Sequence, residues 1–368
     1  MPIGILYRDE LKEYDFGPGH PFRGDRYQLF LAFLREHVAE DDNYRLLAAE
    51  PAGDEDLLLI CRRDYIGFNE DFYRAANLGA EDLGEFFRYQ SGDNLPVGKP
   101  GKLEEAARLV IGQAKMACDL VQQGRFSKAV SIGGGLHHAK QSSGEGFCIY
   151  NDVAFCGRYL LQEYKLERVL ILDTDAHAGN GTAEYFYDDP RVLFIDLHQD
   201  PSTIYPGSGF AGETGSGEGS GFTVNVPMPV NAGMEAYRQV FRDIVRPLVR
   251  EFNPRIIVRN GGSDPHFSDG LTSLGLPLEG FRMIGDEVRE MASVCDGKVV
   301  DLIASGYNRE VLPYAWLALI SGLAGFELDL KEAEPLTPRD AEKAASARTE
   351  KVIANVKANL KQYWECFR

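Results

Sequence analysis

The sequence predicts one large α/β domain. Short apolar runs of strand length alternate with longer segments of helical periodicity up to about residue 325, a pattern typical of α/β folds. The run Val-Leu-Ile-Leu at 169–172 has the length and composition of a fully buried strand. No Pro/Ser-rich linker or low-complexity block interrupts the 368 residues, so we expect a single domain over 1–368.

The strands are predicted from apolar runs that are bounded by turn residues. We expect strands at residues 1–7, 57–61, 129–132, 169–172, 192–197, 222–226, 255–259 and 298–303. Loops rich in Gly, Pro or polar residues are expected at 17–26, 89–101 and 211–221. The second of these is long, and long loops without regular structure are often functional.

The helices are predicted from apolar residues at helical spacing. We expect them at 27–38, 102–123, 234–252, 278–294 and 311–325, with a short one between 42 and 53, one starting near Asn151, and a last one at about 338–366. Thr337 and Pro338 suit the N-cap and first position of the last helix. One face of it carries Ile353, Val356, Leu360, Tyr363 and Trp364, so we expect that face to pack against the domain.

The composition excludes several classes of protein. No apolar run approaches the roughly 20 residues that span a bilayer, and residues 1–7 lack the pattern of a signal peptide, so we expect a cytoplasmic protein without membrane contact. The formal net charge of −17 argues against direct nucleic-acid binding, which needs a basic surface. The six cysteines are scattered without a C-x-x-C pair, and we expect them to be reduced packing residues.

Three side chains able to bind a metal follow the predicted strand at 169–172. Asp173, Asp175 and His177 are spaced two apart, so they point to one side if the extended geometry persists. In open α/β sheets, ligands bind outside the carboxyl ends of the strands. Carboxylate oxygen and imidazole nitrogen suit zinc, iron or manganese. A strand that ends in an ordinary polar turn is the alternative interpretation.

Other predicted strands also end in loops rich in polar and ionisable residues. These loops are 133–138 with His137 and His138, 260–269 with Asp264, and 304–308 with Tyr307. Five of the seven histidines lie in or beside these loops and the loop after 169–172, which is unexpected for a purely structural protein. We therefore expect a metal-dependent active site at the strand ends.

Seven motifs recur, in this order and spacing, in a known family. They are GPGHPFRGDR (17–26), GGGLHHAK (133–140), GFCIYNDVA (146–154), LDTDAHAGNG (172–181), IYPGSG (204–209), GGSDPHFSDG (261–270) and SGYN (305–308). The chain resembles the zinc-dependent histone deacetylase family, most closely its class I and its acetoin-utilisation-type bacterial or archaeal branches. The resemblance covers roughly residues 1–325. It implies the arginase–deacetylase fold, a mainly parallel eight-stranded sheet with helices on both faces.

The resemblance implies a set of metal ligands. The family pattern makes Asp175, His177 and Asp264 the ligands of Zn2+, or of Fe2+, and leaves positions open as a catalytic metal requires. The implied reaction is hydrolysis of an acetyl-lysine side chain by a metal-activated water. A structural K+ is also implied in some members, through backbone groups of Asp173, Asp175 and His177. Asp196 stands where those members have a serine ligand for it.

The resemblance also assigns roles in proton transfer and oxyanion stabilisation. His137 and His138 match the tandem histidines that serve as general base, general acid or electrostatic helper. Asp173 and Asn180 match the groups that orient His137 and His138, respectively. Asn180 replaces an aspartate of class I enzymes, which should lower the pKa of His138. Tyr307 matches the tyrosine that hydrogen-bonds the scissile carbonyl.

Five further residues match the substrate side of the family's site. Phe147, next to Gly146, and Tyr205 match the aromatic walls of the acyl-lysine channel. Asp93 matches a rim carboxylate that holds substrate backbone amides, and Arg26 an arginine of an internal cavity that releases acetate. The structural alternatives are core packing for Phe147 and Tyr205 and ion pairing for Arg26. Tyr307 could likewise be a packed tyrosine at a strand end.

Departures from the family pattern fall near the substrate. The run from Asp93 to Pro96 is one residue longer than the usual Asp-x-Pro, so the register of the rim stays open. Ala304-Ser305-Gly306 stands in place of a glycine run, which we expect to change the pocket floor. Tyr205 replaces the phenylalanine that is usual in class I and makes that wall more polar.

Three alternative functions fit the sequence less well. A binuclear manganese ureohydrolase of the arginase type needs further carboxylates where this chain has Gly179 and His266. An acetylpolyamine deacetylase suits the negative charge, but needs a long insertion that the sequence does not show. A pseudoenzyme that only recognises acyl-lysine is disfavoured by the intact metal ligands, histidine pair and Tyr307. We predict a zinc-dependent lysine deacetylase acting on acetylated protein, with the target protein, acyl length, metal and oligomeric state left open.

Overall fold

The structure is a computed structural model that describes residues 2–40, 43–80, 82–332 and 339–368. The strands are β1 Ile3–Leu6, β2 Tyr44–Leu47, β3 Lys128–Ile132, β4 Val169–Asp173, β5 Val192–Gln199, β6 Thr223–Met228, β7 Ile257–Asn260 and β8 Val299–Ile303. They form one parallel sheet in the order β2-β1-β3-β8-β7-β4-β5-β6. The predicted α/β class with a mainly parallel eight-stranded sheet is confirmed.

The helices connect these strands. They are α1 Asp25–His37, α2 Asp54–Leu57, α3 Arg63–Asn77, α4 Phe86–Tyr89, α5 Leu103–Gln122, α6 Asp152–Gln162, α7 Asn180–Phe186, α8 Met234–Val240, α9 Arg246–Phe252, α10 Leu278–Met291, α11 Leu312–Ala324 and α12 Arg339–Leu360. A π-helical turn at Phe241–Val245 joins α8 and α9, so the helix predicted at 234–252 is continuous. Across the described ranges, none of the helices combines the length and the apolar character needed to cross a bilayer.

The chain divides into two compact units. The N-terminal unit comprises Met1–Lys165 and Val300–Ala304, and the C-terminal unit comprises Leu166–Val299 and Ser305–Arg368. In the N-terminal unit, β1 pairs with β2 and with β3. In the C-terminal unit, β4 pairs with β5 and with β7, and both neighbours are buried along their whole length. The prediction of a single domain over 1–368 stays a prediction.

The strand predicted at 57–61 is wrong. Leu57 ends α2, and the N–H groups of Ile60 and Cys61 donate to the Leu57 carbonyl at 3.0 and 2.8 Å. The strand of this region is β2, where a short helix was expected. A short apolar run cannot be assigned by periodicity alone, and the acidic residues 54–56 favour the start of a helix just before it.

The last helix packs through most of its predicted face, but it ends at Leu360 and Tyr363 is 40% exposed. Ile353, Val356 and Leu360 on α12 are buried. Trp364, just after α12, lies with its ring centroid 5.3 Å from Phe222, and its indole N–H donates to the Gly221 carbonyl at 2.7 Å. The predicted cap at 337–338 lies outside the described residues.

Candidate active site

The predicted metal ligands converge in the C-terminal unit. Asp175 and His177 lie in the loop between β4 and α7, and Asp264 lies in the loop after β7. Their donor atoms all lie within 4.8 Å of one another. Nδ1 of His177 is 3.2 Å from Oδ1 of Asp175 and 3.1 Å from Oδ2 of Asp264. Both carboxylates are buried, so the cluster is shielded from bulk water.

The electrostatics of this cluster favour a bound cation. Burial and the charge of Asp175 raise the pKa of Asp264 to about 7. Burial lowers the pKa of His177, but its hydrogen bonds to the two carboxylates outweigh this effect and raise that pKa to about 10. Without an ion, protons on His177 and in part on Asp264 therefore offset the charge of the carboxylates, and a bound cation would take the place of those protons. Two oxygen donors and one nitrogen donor fit a catalytic zinc or iron(II) ion with open positions.

Asp173 organises the loop that carries two of these ligands. Its Oδ1 accepts the N–H of Asp175 at 3.0 Å, and its Oδ2 accepts an amide N–H of Asn260 at 2.9 Å. Asn260 is the register partner of Asp173 on β7, so strand pairing brings the two side chains together. The N–H of His177 in turn donates to Oδ1 of Asp175 at 2.8 Å. The predicted action of Asp173 on His137 stays a prediction.

A buried aspartate–histidine pair stands at the carboxyl end of β5. Oδ1 of Asp196 lies 2.9 Å from Nδ1 of His198, and its Oδ2 accepts the N–H of Gly179 at 2.8 Å. Nε2 of His198 lies 2.9 Å from the carbonyl oxygen of Gly209. Potassium binding near this position stays a prediction, as does the orienting role of Asn180, which begins α7.

Tyr307 lies beside the group of Asp175, His177 and Asp264, which we call the metal cluster. Its ring is nearly perpendicular to that of His177, with centroids 6.4 Å apart. Its backbone N–H donates to Oδ2 of Asp269 at 2.7 Å. The amide N–H of Asn308 donates to the Ser268 carbonyl at 3.0 Å. The sequence analysis assigned no role to Ser268 and Asp269, although both lie within the motif that contains Asp264.

His266 lies outside the metal cluster. Its Nδ1 is 2.8 Å from the Ser268 hydroxyl, and its Nε2 is 2.9 Å from Oε1 of Glu332. Among the described residues, the group of side chains able to hold a metal contains Asp175, His177 and Asp264 and no further residue. This arrangement disfavours the binuclear site of the arginase alternative.

The tandem histidines lie in the N-terminal unit, in the loop after β3. The Nε2 atoms of His137 and His138 are 3.1 Å apart, and both side chains are buried. The side-chain amide of Asn151 donates to the carbonyl oxygens of His137 and Ala139 at 3.1 and 3.0 Å. The loop is therefore held through its backbone on both sides of His138.

Asp152 holds the same loop on its other side. Its carboxylate accepts the N–H groups of Gly135 at 2.8 Å and Leu136 at 2.7 Å. A Cβ on Gly134 would lie 2.6 Å from Oδ2 of Asp152, so the glycine run lets the backbone wrap around the carboxylate. Burial raises the pKa of Asp152 to about 6, although these N–H groups oppose the shift. Sequence analysis predicted a helix start at this point but no role for Asn151 or Asp152.

The predicted channel wall follows in the same unit. Gly146 and Phe147 both have left-handed backbones, with φ of 59° and 66°. A Cβ on Gly146 would lie 2.3 Å from the ring of His138, so only glycine allows this approach. Phe147 contacts His20 edge to face at 4.7 Å between ring centroids. A positive φ at a phenylalanine is uncommon and is often found at functional sites.

Asp93 lies beside this wall. Its Oδ2 accepts the N–H of Gly146 at 2.8 Å, and the Ser91 hydroxyl hydrogen-bonds its Oδ1. Nε2 of His20 lies 2.9 Å from the carbonyl oxygen of Asp93. The carboxylate thus contacts the Gly146 turn, and its predicted contact with substrate amides stays a prediction.

The remaining predicted substrate residues differ in exposure. Arg26 is buried and donates to the carbonyl oxygens of Arg23 and Ala304, each at 2.9 Å. Its guanidinium lies over the Phe22 ring at 3.8 Å from the centroid. Tyr205, in the loop after β5, is 43% exposed, which is compatible with a channel wall and not with core packing.

Comparison with known proteins finds one family model and several similar proteins. The family model described as "Histone deacetylase domain" matches residues 20–323. A protein of Archaeoglobus fulgidus named "Probable deacetylase" is 36% identical over 378 residues, covering 100% of both chains. The "Acetoin utilization protein AcuC" of Staphylococcus xylosus is 35% identical over 326 residues, covering 88% of this chain and 82% of its own. Its namesake in Staphylococcus aureus is 35% identical over 319 residues, 84% of this chain and 79% of its own.

The family model spans residues of both units and includes every motif on which the resemblance is based except residues 17–19, which the match to the Archaeoglobus fulgidus protein also covers. They support a hydrolase that removes acetyl groups. The chain belongs to the histone deacetylase family.

Proposed function

We propose that this chain is a metal-dependent lysine deacetylase that removes acetyl, or another short acyl group, from lysine side chains of proteins. The observation that carries the proposal is the convergence of Asp175, His177 and Asp264 within 4.8 Å, in a member of the histone deacetylase family. These residues would hold Zn2+ or Fe2+. Such an ion supplies a water of lowered pKa and polarises the substrate carbonyl.

His137 and His138 are proposed to move the protons. Their Nε2 atoms are 3.1 Å apart, so one ring donates a hydrogen bond to the other. Such a pair can accept a proton from the attacking water and deliver it to the departing lysine amine. The Asn151 and Asp152 contacts support this role because they fix the loop that carries both rings. Asp173 and Asn180 are proposed to orient His137 and His138, respectively.

Tyr307 is proposed to stabilise the oxyanion. Its hydroxyl would donate to the carbonyl oxygen of the scissile amide as negative charge develops there. The position of its ring beside His177 supports this role, and Asp269 holds its backbone. Phe147 and Tyr205 are proposed to flank the acyl-lysine stem, and Arg26 to line the exit path of acetate.

A polypeptide substrate is proposed over a small polyamine. The loop after β5 exposes Tyr205 and Phe210, whose side chains are 43% and 48% accessible. Such apolar groups suit contacts with a peptide that flanks the modified lysine. A polyamine offers only methylene groups and amines, and the sequence shows no long insertion that would narrow the entrance for it.

The proposal is tested with chelator-stripped protein. Turnover of an acetyl-lysine peptide is measured before and after addition of one equivalent of zinc, with acetylspermidine and arginine as parallel substrates. We expect zinc-restored turnover of the peptide and no turnover of the other two. Turnover of acetylspermidine alone would move the function to polyamines, and manganese-dependent turnover of arginine alone would contradict a single-metal site.

A further inference from the structure

Ser305 contacts one of the proposed metal ligands. It lies in Ala304-Ser305-Gly306, where the family pattern has a glycine run. Its hydroxyl donates to Oδ1 of Asp264 at 2.8 Å, and both side chains are buried. The other oxygen of this carboxylate, Oδ2, lies 3.1 Å from Nδ1 of His177. The two oxygens of Asp264 therefore face different partners.

The surroundings of Ser305 hold its hydroxyl in this position. Its carbonyl oxygen accepts the N–H of Ser263 at 2.9 Å and the indole N–H of Trp316 at 3.0 Å. A Cβ on Gly262 would lie 2.1 Å from that carbonyl oxygen and 2.5 Å from Oγ of Ser305. The backbone of Ser305 is thus packed directly on the loop that carries Asp264. Oγ of Ser305 therefore occupies the space beside Gly262 that a side chain at that position would need.

We infer that Ser305 is a positioning residue for the metal site, which directs Oδ2 of Asp264 toward the ion by binding Oδ1. The inference rests on the proposed function, since it requires Asp264 to bind a metal. A glycine at this position has no hydroxyl and leaves both oxygens of Asp264 able to turn toward the ion. Groups that hydrogen-bond to metal ligands typically alter metal affinity by about 10- to 100-fold. The inference therefore predicts that this chain depends on a hydrogen bond that the family pattern lacks.

The test compares two serine variants by metal binding. The dissociation constant of zinc is measured by competition with a chromophoric chelator, and the visible absorption of the cobalt(II)-substituted protein reports the ligand geometry. For Ser305→Ala we expect zinc binding weakened by about tenfold and a changed cobalt spectrum. Ser263→Ala is the matched control, because its buried hydroxyl donates to the Ser305 carbonyl at 3.4 Å and not to a metal ligand. We expect it to keep the wild-type values.

A second variant and a folding measurement complete the test. Ser305→Gly introduces the residue type of the family pattern and should weaken zinc binding in the same direction. Thermal unfolding of the metal-free proteins shows whether each variant is folded. Wild-type zinc affinity and spectrum in Ser305→Ala would overturn the inference, as would an equal loss in Ser263→Ala. Absence of zinc binding in the wild-type protein would overturn the proposed metal site as well, so the two failures are distinguishable.

Discussion

The two units support their candidate residues by different means. In the N-terminal unit, the Asn151 amide donates to a backbone carbonyl of the loop of His137 and His138, and the Asp152 carboxylate accepts backbone N–H groups of the same loop. In the C-terminal unit, two buried carboxylates converge on His177 and raise its pKa to about 10. The first arrangement is a set of hydrogen bonds within the protein, whereas the second brings together donor atoms that could hold a metal ion. Changes in the two units should therefore have different effects on metal binding.

The largest effect is expected from loss of a metal ligand. Asp264→Asn removes one anionic donor, so we expect it to bind zinc much more weakly than the wild type does and to show no zinc-restored turnover. Zinc content after dialysis and deacetylation of an acetyl-lysine peptide are measured together. Asp269→Asn is the matched control for zinc content alone, since Asp269 lies outside the metal cluster but its carboxylate accepts the backbone N–H of Tyr307. Wild-type zinc content in Asp264→Asn would contradict its assignment as a ligand.

Tyr307→Phe should separate chemistry from metal binding within the C-terminal unit. Loss of the hydroxyl removes a donor to the developing oxyanion, so we expect kcat to fall by about 10²- to 10³-fold. Zinc affinity should stay unchanged because the Tyr307 hydroxyl is not one of the donor atoms of the metal cluster. Tyr363→Phe, which changes a partly exposed tyrosine after α12, serves as the control. Wild-type kcat in Tyr307→Phe would remove Tyr307 from the mechanism.

An intermediate effect is expected from the support of the histidine loop. Asn151→Ala removes the donor to the carbonyl oxygens of His137 and Ala139, so the rings lose their fixed position. We expect kcat to fall by about tenfold or more, since general acid–base catalysis contributes about 10²- to 10⁴-fold. The dissociation constant of zinc should not change. A parallel loss of zinc affinity would contradict a role of Asn151 that is confined to the histidine loop.

The sequence predicts more about the C-terminal cluster than about the support of the histidine loop. The D-x-D-x-H spacing places ligands directly after a buried strand, and strand register then brings Asn260 to Asp173. The contacts of Asp152 depend on a tertiary approach of α6 to a glycine run 17 residues earlier, which no local pattern encodes. The strand predicted at 57–61 and the helix predicted in place of β2 are wrong for a different reason. A short apolar run fits either a strand or a buried turn. The sequence shows Ser305 only as a departure from the family pattern. The contact of its hydroxyl with Asp264 is visible only in the structure.

The smallest effect is expected at Asp93, where two roles give different results. Asp93→Asn keeps the shape of the side chain but weakens the hydrogen bond to the Gly146 N–H. If Asp93 holds substrate backbone amides, KM should rise about fivefold for a peptide and remain unchanged for a small acetyl-lysine analogue that lacks those amides. If Asp93 only positions the Gly146–Phe147 turn, both substrates should lose kcat/KM to the same extent. Steady-state kinetics on the two substrates therefore decide between the rim role taken from the family and the positioning role suggested by the observed contact.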